Sequence, residues 1–138
     1  MSGFPDNERQ LSDYGRDQVA GMAATHSSIV EGLDAVVSSP YTRAQQTADI
    51  FAREIGFSKA ITTLDALVPE GRPVEVESYL FNTNVSQLIL ISHMPLVANL
   101  IEFFCGETGR MKTASLALIT MQYPGCGQGD LSWIHHAP

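Results

Sequence analysis

Ser38-Ser39-Pro40-Tyr41-Thr42-Arg43-Ala44-Gln45-Gln46-Thr47-Ala48 is the stretch on which the reading of this chain turns. It follows an apolar run, Leu33 to Val37, that reads as a buried strand. It leads into a helix, with Ala44, Thr47, Ala48, Phe51, Ala52 and Ile55 on one broad face and Gly56 placed to end it. Arg43 therefore falls in the first helical turn, just where a strand gives way to a helix. Free amides and the positive end of the helix dipole favour an anion there, and a guanidinium adds a bidentate donor fork. Ile91-Ser92-His93-Met94-Pro95 repeats the strand-to-helix arrangement with a histidine at the junction. In open α/β sheets ligands sit beyond the carboxyl ends of the strands, where both side chains would lie.

The rest of the chain alternates in the same way. Ser12 to Thr25 reads as a helix with Ser12 as N-cap, and Ile61 to Leu64 as a short strand. Val68 to Pro73 is turn-rich, and Val74 to Phe81 is a short helix. Gln87 to Ser92 is a continuous apolar strand of the kind buried on both faces of a parallel sheet. Pro95 to Cys105 is a helix that stops at Gly106. Ser115 to Gln122 and Asp130 to His135 are late strands without a helix between them, expected to pair as a hairpin at a sheet edge, with Tyr123 and Trp133 packed on them. The expected fold is α/β: a three-layer sandwich whose central sheet is mostly parallel with an antiparallel end. Residues 1–138 read as a single domain.

Composition narrows the function classes. The formal net charge of −7 disfavours nucleic acid and anionic membrane surfaces as partners, while leaving room for a local basic pocket. No window is apolar enough to span a membrane, and Met1 to Glu8 lacks the pattern of a signal peptide, so the cytoplasm is the expected location. Two cysteines make no disulfide framework. No metal-ligand cluster and no cofactor motif is evident. An arginine and a histidine facing one pocket can clamp a phosphoryl group, the first neutralising its oxygens and the second stabilising charge or moving a proton.

Together, the S-S-P-x-x-R-A-x-Q-T-A block and the later S-H-x-P block resemble the histidine phosphatase, or phosphoglycerate mutase-like, superfamily. Arg9-Gln10-Leu11-Ser12-Asp13-Tyr14-Gly15-Arg16, the Val68-Pro69-Glu70-Gly71 turn and Met111 to Ser115 narrow the likeness to SixA-type phosphohistidine phosphatases. The resemblance runs from Arg9 to His136. It implies a phosphoglycerate mutase-like fold and a two-step transfer, in which the histidine of an R-H-G motif takes the phosphoryl group and water then releases it. It implies no metal or cofactor, a phosphorylated histidine-containing signalling or phosphotransfer protein as partner, and catalytic roles for Arg43 and His93. A small-molecule phosphatase of the same superfamily is the other enzymatic reading.

The chain departs from the family pattern in one place. It holds no R-H-G, and Met1 stands eight residues before Arg9. The family's first strand, its nucleophile and its first arginine are expected to be missing. Either an upstream segment supplies them, or the chain is a phosphate-binding relative without phosphatase activity. The apolar burial of such a strand is comparable with the whole stability of a domain, about 5–15 kcal/mol. The other candidates carry weaker signals. Glu70 reads as a solvated loop carboxylate, Cys105 as a packed helix end, and His135 and His136 as neighbours on opposite strand faces.

Overall fold

The computed structural model describes residues 5–137; Met1 to Phe4, part of the segment read for a leader, lie outside it. Strand β1 (Ala35–Ser38) is the middle of a three-stranded parallel sheet. It pairs with β2 (Thr62–Thr63) on one side and with β3 (Leu88–Ile91) on the other, Val37 standing opposite both Thr62 and Leu90. Successive strand side chains point to opposite faces, and β1 follows that rule. Val36 enters a cluster with Val19, Met22, Ala48, Phe51 and Ile55 of helices α1 (Asp13–Thr25) and α2 (Thr42–Ile55). Val37 enters a second cluster, with Val76 and Leu80 of α3 (Pro73–Asn82) and Leu96, Leu100 and Phe104 of α4 (Leu96–Cys105). The chain is thus an α/β sandwich of three layers.

Local signals set the helix ends. The Ser12 hydroxyl accepts the Gly15 amide at 3.0 Å, satisfying a free donor at the start of α1. Gly56 and Gly106 end α2 and α4 in the left-handed region, with φ of 80° and 70°. Pro73 opens α3, where its missing amide costs nothing.

Strands β4 (Leu116–Met121) and β5 (Gly129–His135) form the expected antiparallel hairpin, with Leu116 opposite His135 and Met121 opposite Gly129. Leu116 packs on the first cluster and Met121 on the second, so the hairpin stands in the same layer as the parallel sheet. Among the described residues no strand pairing joins the two; the layer is in two pieces. This corrects the expectation for Gln87 to Ser92. Only Ile89 of β3 is buried, and Leu88, Leu90 and Ile91 are half-buried, because among the described residues the strand pairs on one side alone, with β1. Tyr123 is also corrected: at 53% exposure it does not pack on the late strands.

Candidate functional site

The carboxyl ends of β1 and β3 converge on Ser39, which is fully buried. Its amide donates to the Ile91 carbonyl at 2.9 Å, tying the two strand ends together, and Gln45 Nε2 donates to its carbonyl at 2.7 Å. Its hydroxyl accepts the Tyr41 amide at 3.2 Å and shares a 2.8 Å hydrogen bond with His93 Nε2. A small side chain at this position lets β3 and the start of α2 approach closely while giving the imidazole a fixed partner.

His93 follows β3 and is buried, and its carbonyl accepts the Val97 amide at 2.9 Å, anchoring the first turn of α4. Beside it, Ser92 Oγ donates to the Leu67 carbonyl at 2.6 Å. Burial, then the Arg43 cation, push the His93 pKa down from 6.5 to about 4, against weaker upward pulls from the Asp6 and Glu70 carboxylates. The ring is therefore neutral at physiological pH. Tyr41, the N-cap of α2, links the two sequence-identified residues. Its ring lies 5.0 Å from the His93 ring, and the Arg43 guanidinium carbon stands 5.3 Å above it. Burial and the neighbouring Glu70 carboxylate, to which its hydroxyl donates at 3.4 Å, push the Tyr41 phenol pKa up.

Arg43 and His93 are thus brought together as the sequence suggests. Asp6, which the sequence did not single out, joins them. Arg43 Nη1 donates to the Asp6 carbonyl at 2.7 Å and Nη2 to Asp6 Oδ2 at 3.3 Å. Arg9 donates to Asp6 Oδ1 from Nη2 at 2.6 Å and from Nε at 2.9 Å. The hydrogen bond from Arg9 holds the Asp6 carboxyl below the usual carboxylate range, and Arg43 adds to it. Thirty-seven residues separate Asp6 from Arg43, and no local pattern marks such a pairing.

The remaining candidates lie elsewhere. Glu70 is exposed at the rim, and Cys105 is half-buried at the end of α4, its thiol pKa pushed up by burial. His135 and His136 do not point to opposite sides. His136 lies past the end of β5, where strand alternation lapses, and both border a surface hollow of about 470 Å³ with Met22, Thr25, His26 and Ile134. His26 Nδ1–H donates to the Met22 carbonyl at 3.0 Å, and its Nε2 shares a 2.8 Å hydrogen bond with His135 Nδ1. Trp133 stacks on His135 with centroids 4.0 Å apart. This cluster pins the end of α1 to the end of β5. Among the described residues no three His, Cys, Asp or Glu side chains assemble as a metal site, and no helix is long and apolar enough to cross a membrane.

The chain is similar to known proteins in sequence and in fold. Residues 4–68 match the model of the histidine phosphatase superfamily (branch 1). The phosphohistidine phosphatase SixA of Escherichia coli (strain K12) is 31% identical over 132 residues, which span 93% of this chain and 81% of that protein. A structure of the protein histidine phosphatase SixA complexed with tungstate superposes with a TM-score of 0.88 at 29% identity, over 99% of this chain and 89% of that one. A SixA from Agrobacterium tumefaciens gives a TM-score of 0.82 at 21% identity, covering 100% of this chain and 89% of its own, a likeness of fold alone.

Proposed function

The chain belongs to the histidine phosphatase superfamily, and on that premise we propose that it is the phosphate-gripping body of a phosphohistidine phosphatase of the SixA type. The observation that carries this reading is the meeting of Arg43 and neutral His93 on the Tyr41 ring, at the carboxyl ends of two parallel strands. Arg43 supplies a delocalised cation for the non-bridging oxygens of a phosphoryl group. His93, held on Ser39, supplies a ring that the arriving charge would render more basic, so that it can hold a proton on the phosphoryl oxygen as negative charge builds up there. The bound tungstate of the SixA complex is a tetrahedral oxyanion of the kind such a site would hold.

His93 and Arg43 stabilise charge; neither is placed here as the nucleophile. We assign that role to the histidine of an R-H-G strand, seated in the layer between β3 and the β4–β5 hairpin. There it would pair with the open side of β3 and deliver its carboxyl end to the site. The substrate class is a histidine-phosphorylated signalling or phosphotransfer protein in the cytoplasm, a reading supported by the exposure of Asp6 and Glu70, which border Arg43 and Tyr41 and leave the site reachable from outside. A leaving imidazole also demands little acid assistance, in keeping with an exposed Glu70.

The test joins an apolar strand ending in R-H-G to the N-terminus and measures phosphate release from a phosphorylated histidine phosphotransfer domain and from small phosphate esters. The joined protein is expected to turn over the phosphoprotein faster and to form an acid-labile phosphoenzyme. The unjoined chain is expected to form none. Preferential turnover of the esters would sink the substrate assignment, and acid-labile label on the unjoined chain would sink the nucleophile assignment.

A further inference from the structure

The Asp6 carboxylate sits between two guanidinium groups in the manner of a bound oxyanion. Arg9 donates to Oδ1 through two of its nitrogens at 2.6 and 2.9 Å, and Arg43 reaches Oδ2 at 3.3 Å. Each carboxylate oxygen is thus held mainly by a different arginine, the geometry in which two oxygens of a tetrahedral anion would be gripped. Asp6 and Arg9 side chains are 52% and 53% exposed, so the carboxylate can swing out into water at little cost. Arg43 is 23% exposed and is separately anchored by the 2.7 Å bond from Nη1 to the Asp6 carbonyl, a contact that survives loss of the carboxylate. The same carboxylate lies close enough to His93 to act on its charge.

We propose that Arg9 and Arg43 form one oxyanion fork that binds the phosphoryl group, and that the Asp6 carboxylate is its resident occupant, displaced when phosphate arrives. This rests on the phosphate-binding reading of Arg43 and His93 and adds to it a second cationic ligand and an internal competitor. A phosphate dianion outbids a monoanionic carboxylate for two guanidinium groups, but it binds against a tethered rival whose local concentration is high. The fork therefore favours dianionic phosphoryl groups over singly charged anions such as sulfate monoesters or carboxylates.

The test measures inorganic phosphate binding to the full chain by calorimetry and by 31P NMR, in the unaltered protein and in Asp6→Asn, Asp6→Glu, Arg9→Gln and Asp6→Asn/Arg9→Gln. Asp6→Asn is expected to tighten phosphate about tenfold, about 1.4 kcal/mol, and Asp6→Glu to leave it near the starting affinity. Arg9→Gln is expected to weaken phosphate in the Asn background, where its only remaining role is in the fork. Saturable phosphate binding that Asp6→Asn leaves unchanged or weakens overturns the fork while sparing the phosphate site. Indifference to Arg9→Gln in the Asn background does the same. Absence of phosphate binding in every variant overturns the phosphate site and the fork together.

Discussion

His93 should make this protein less stable in mild acid, and by an amount that can be isolated. Its pKa falls from 6.5 to about 4 on folding, chiefly because burial penalises the imidazolium and secondarily because Arg43 repels it. A folded pKa below the unfolded one means that the unfolded chain takes up the proton first. The contribution is therefore fully present above pH 6.5 and is lost progressively as pH falls from about 6.5 to about 4. A gap of about 2.5 pH units corresponds to about 3 kcal/mol at about 1.4 kcal/mol per unit. His93 is 9% exposed and so not fully sealed from solvent, which reduces the expected loss to about 2 kcal/mol. Urea denaturation at pH 7, 5.5 and 4.5 should show it, compared with His93→Gln so that the titration of other groups cancels. Asp6 and Asp34, whose carboxyls lie below their ordinary range, lose their own contributions at lower pH. In NMR the His93 ring carbon should titrate well below pH 6. A midpoint near 6.5, or equal pH dependence in both proteins, would refute the reasoning.

Arg43→Gln removes a cation that depresses His93, so the His93 midpoint should rise toward 6.5 in the same NMR titration; an unmoved midpoint would separate the two residues. Ser39→Ala strips a fully buried hydroxyl from the Tyr41 amide and from His93 Nε2. Urea unfolding should register about 1–3 kcal/mol for the groups left unpaired. Gly71→Ala and Gly21→Ala should act in opposite directions. At Gly71 a Cβ would run into the Ala66 carbonyl oxygen and stand 3.0 Å from the Val68 carbonyl oxygen and a Leu96 methyl, so overpacking should cost about 1–3 kcal/mol. At Gly21, exposed in α1 with open space around it, alanine should stabilise by about 0.5–1 kcal/mol. Thermal melts that move together would contradict this contrast.

The helices were legible in the sequence because their signals are local. The apolar face of α2, with Gly56 behind it, marks an element that spans Thr42–Ile55 as expected, and Ser12 caps α1 as its residue type suggests. The strands were legible as apolar runs, although Leu33 and Asp34 fall outside β1. The Leu33 amide closes a turn on Val30, and the Asp34 carboxylate takes the Ser86 and Gln87 amides at 2.9 and 3.1 Å. Arg43 and His93 were singled out because each stands at a strand-to-helix junction, and the structure brings both beside Tyr41. Asp6 beside Arg9 and Arg43 was not, since exposed ion pairs follow no periodicity. Nor was the bond between His26 and His135, which are 109 residues apart. The break in the sheet layer was equally invisible, because apolar patterning reports that a strand is buried, not which strand it pairs with.

That break leaves a signature in the time domain. The Ser39 amide bonds the Ile91 carbonyl, and the register pairs Val36 with Ile89 and Ser38 with Ile91. In a parallel ladder alternate residues direct both backbone groups to the same neighbour, so Ile89 and Ile91 face β1 while Leu88 and Leu90 turn their N–H and C=O groups toward the open side. Four consecutive amides in one strand should therefore exchange with deuterium in two regimes. Ile89 and Ile91 would be locked until the ladder opens, and Leu88 and Leu90 would be replaced orders of magnitude sooner. Amide exchange along this short strand would read out, residue by residue, on which side the sheet is unfinished and whether an added segment has closed it.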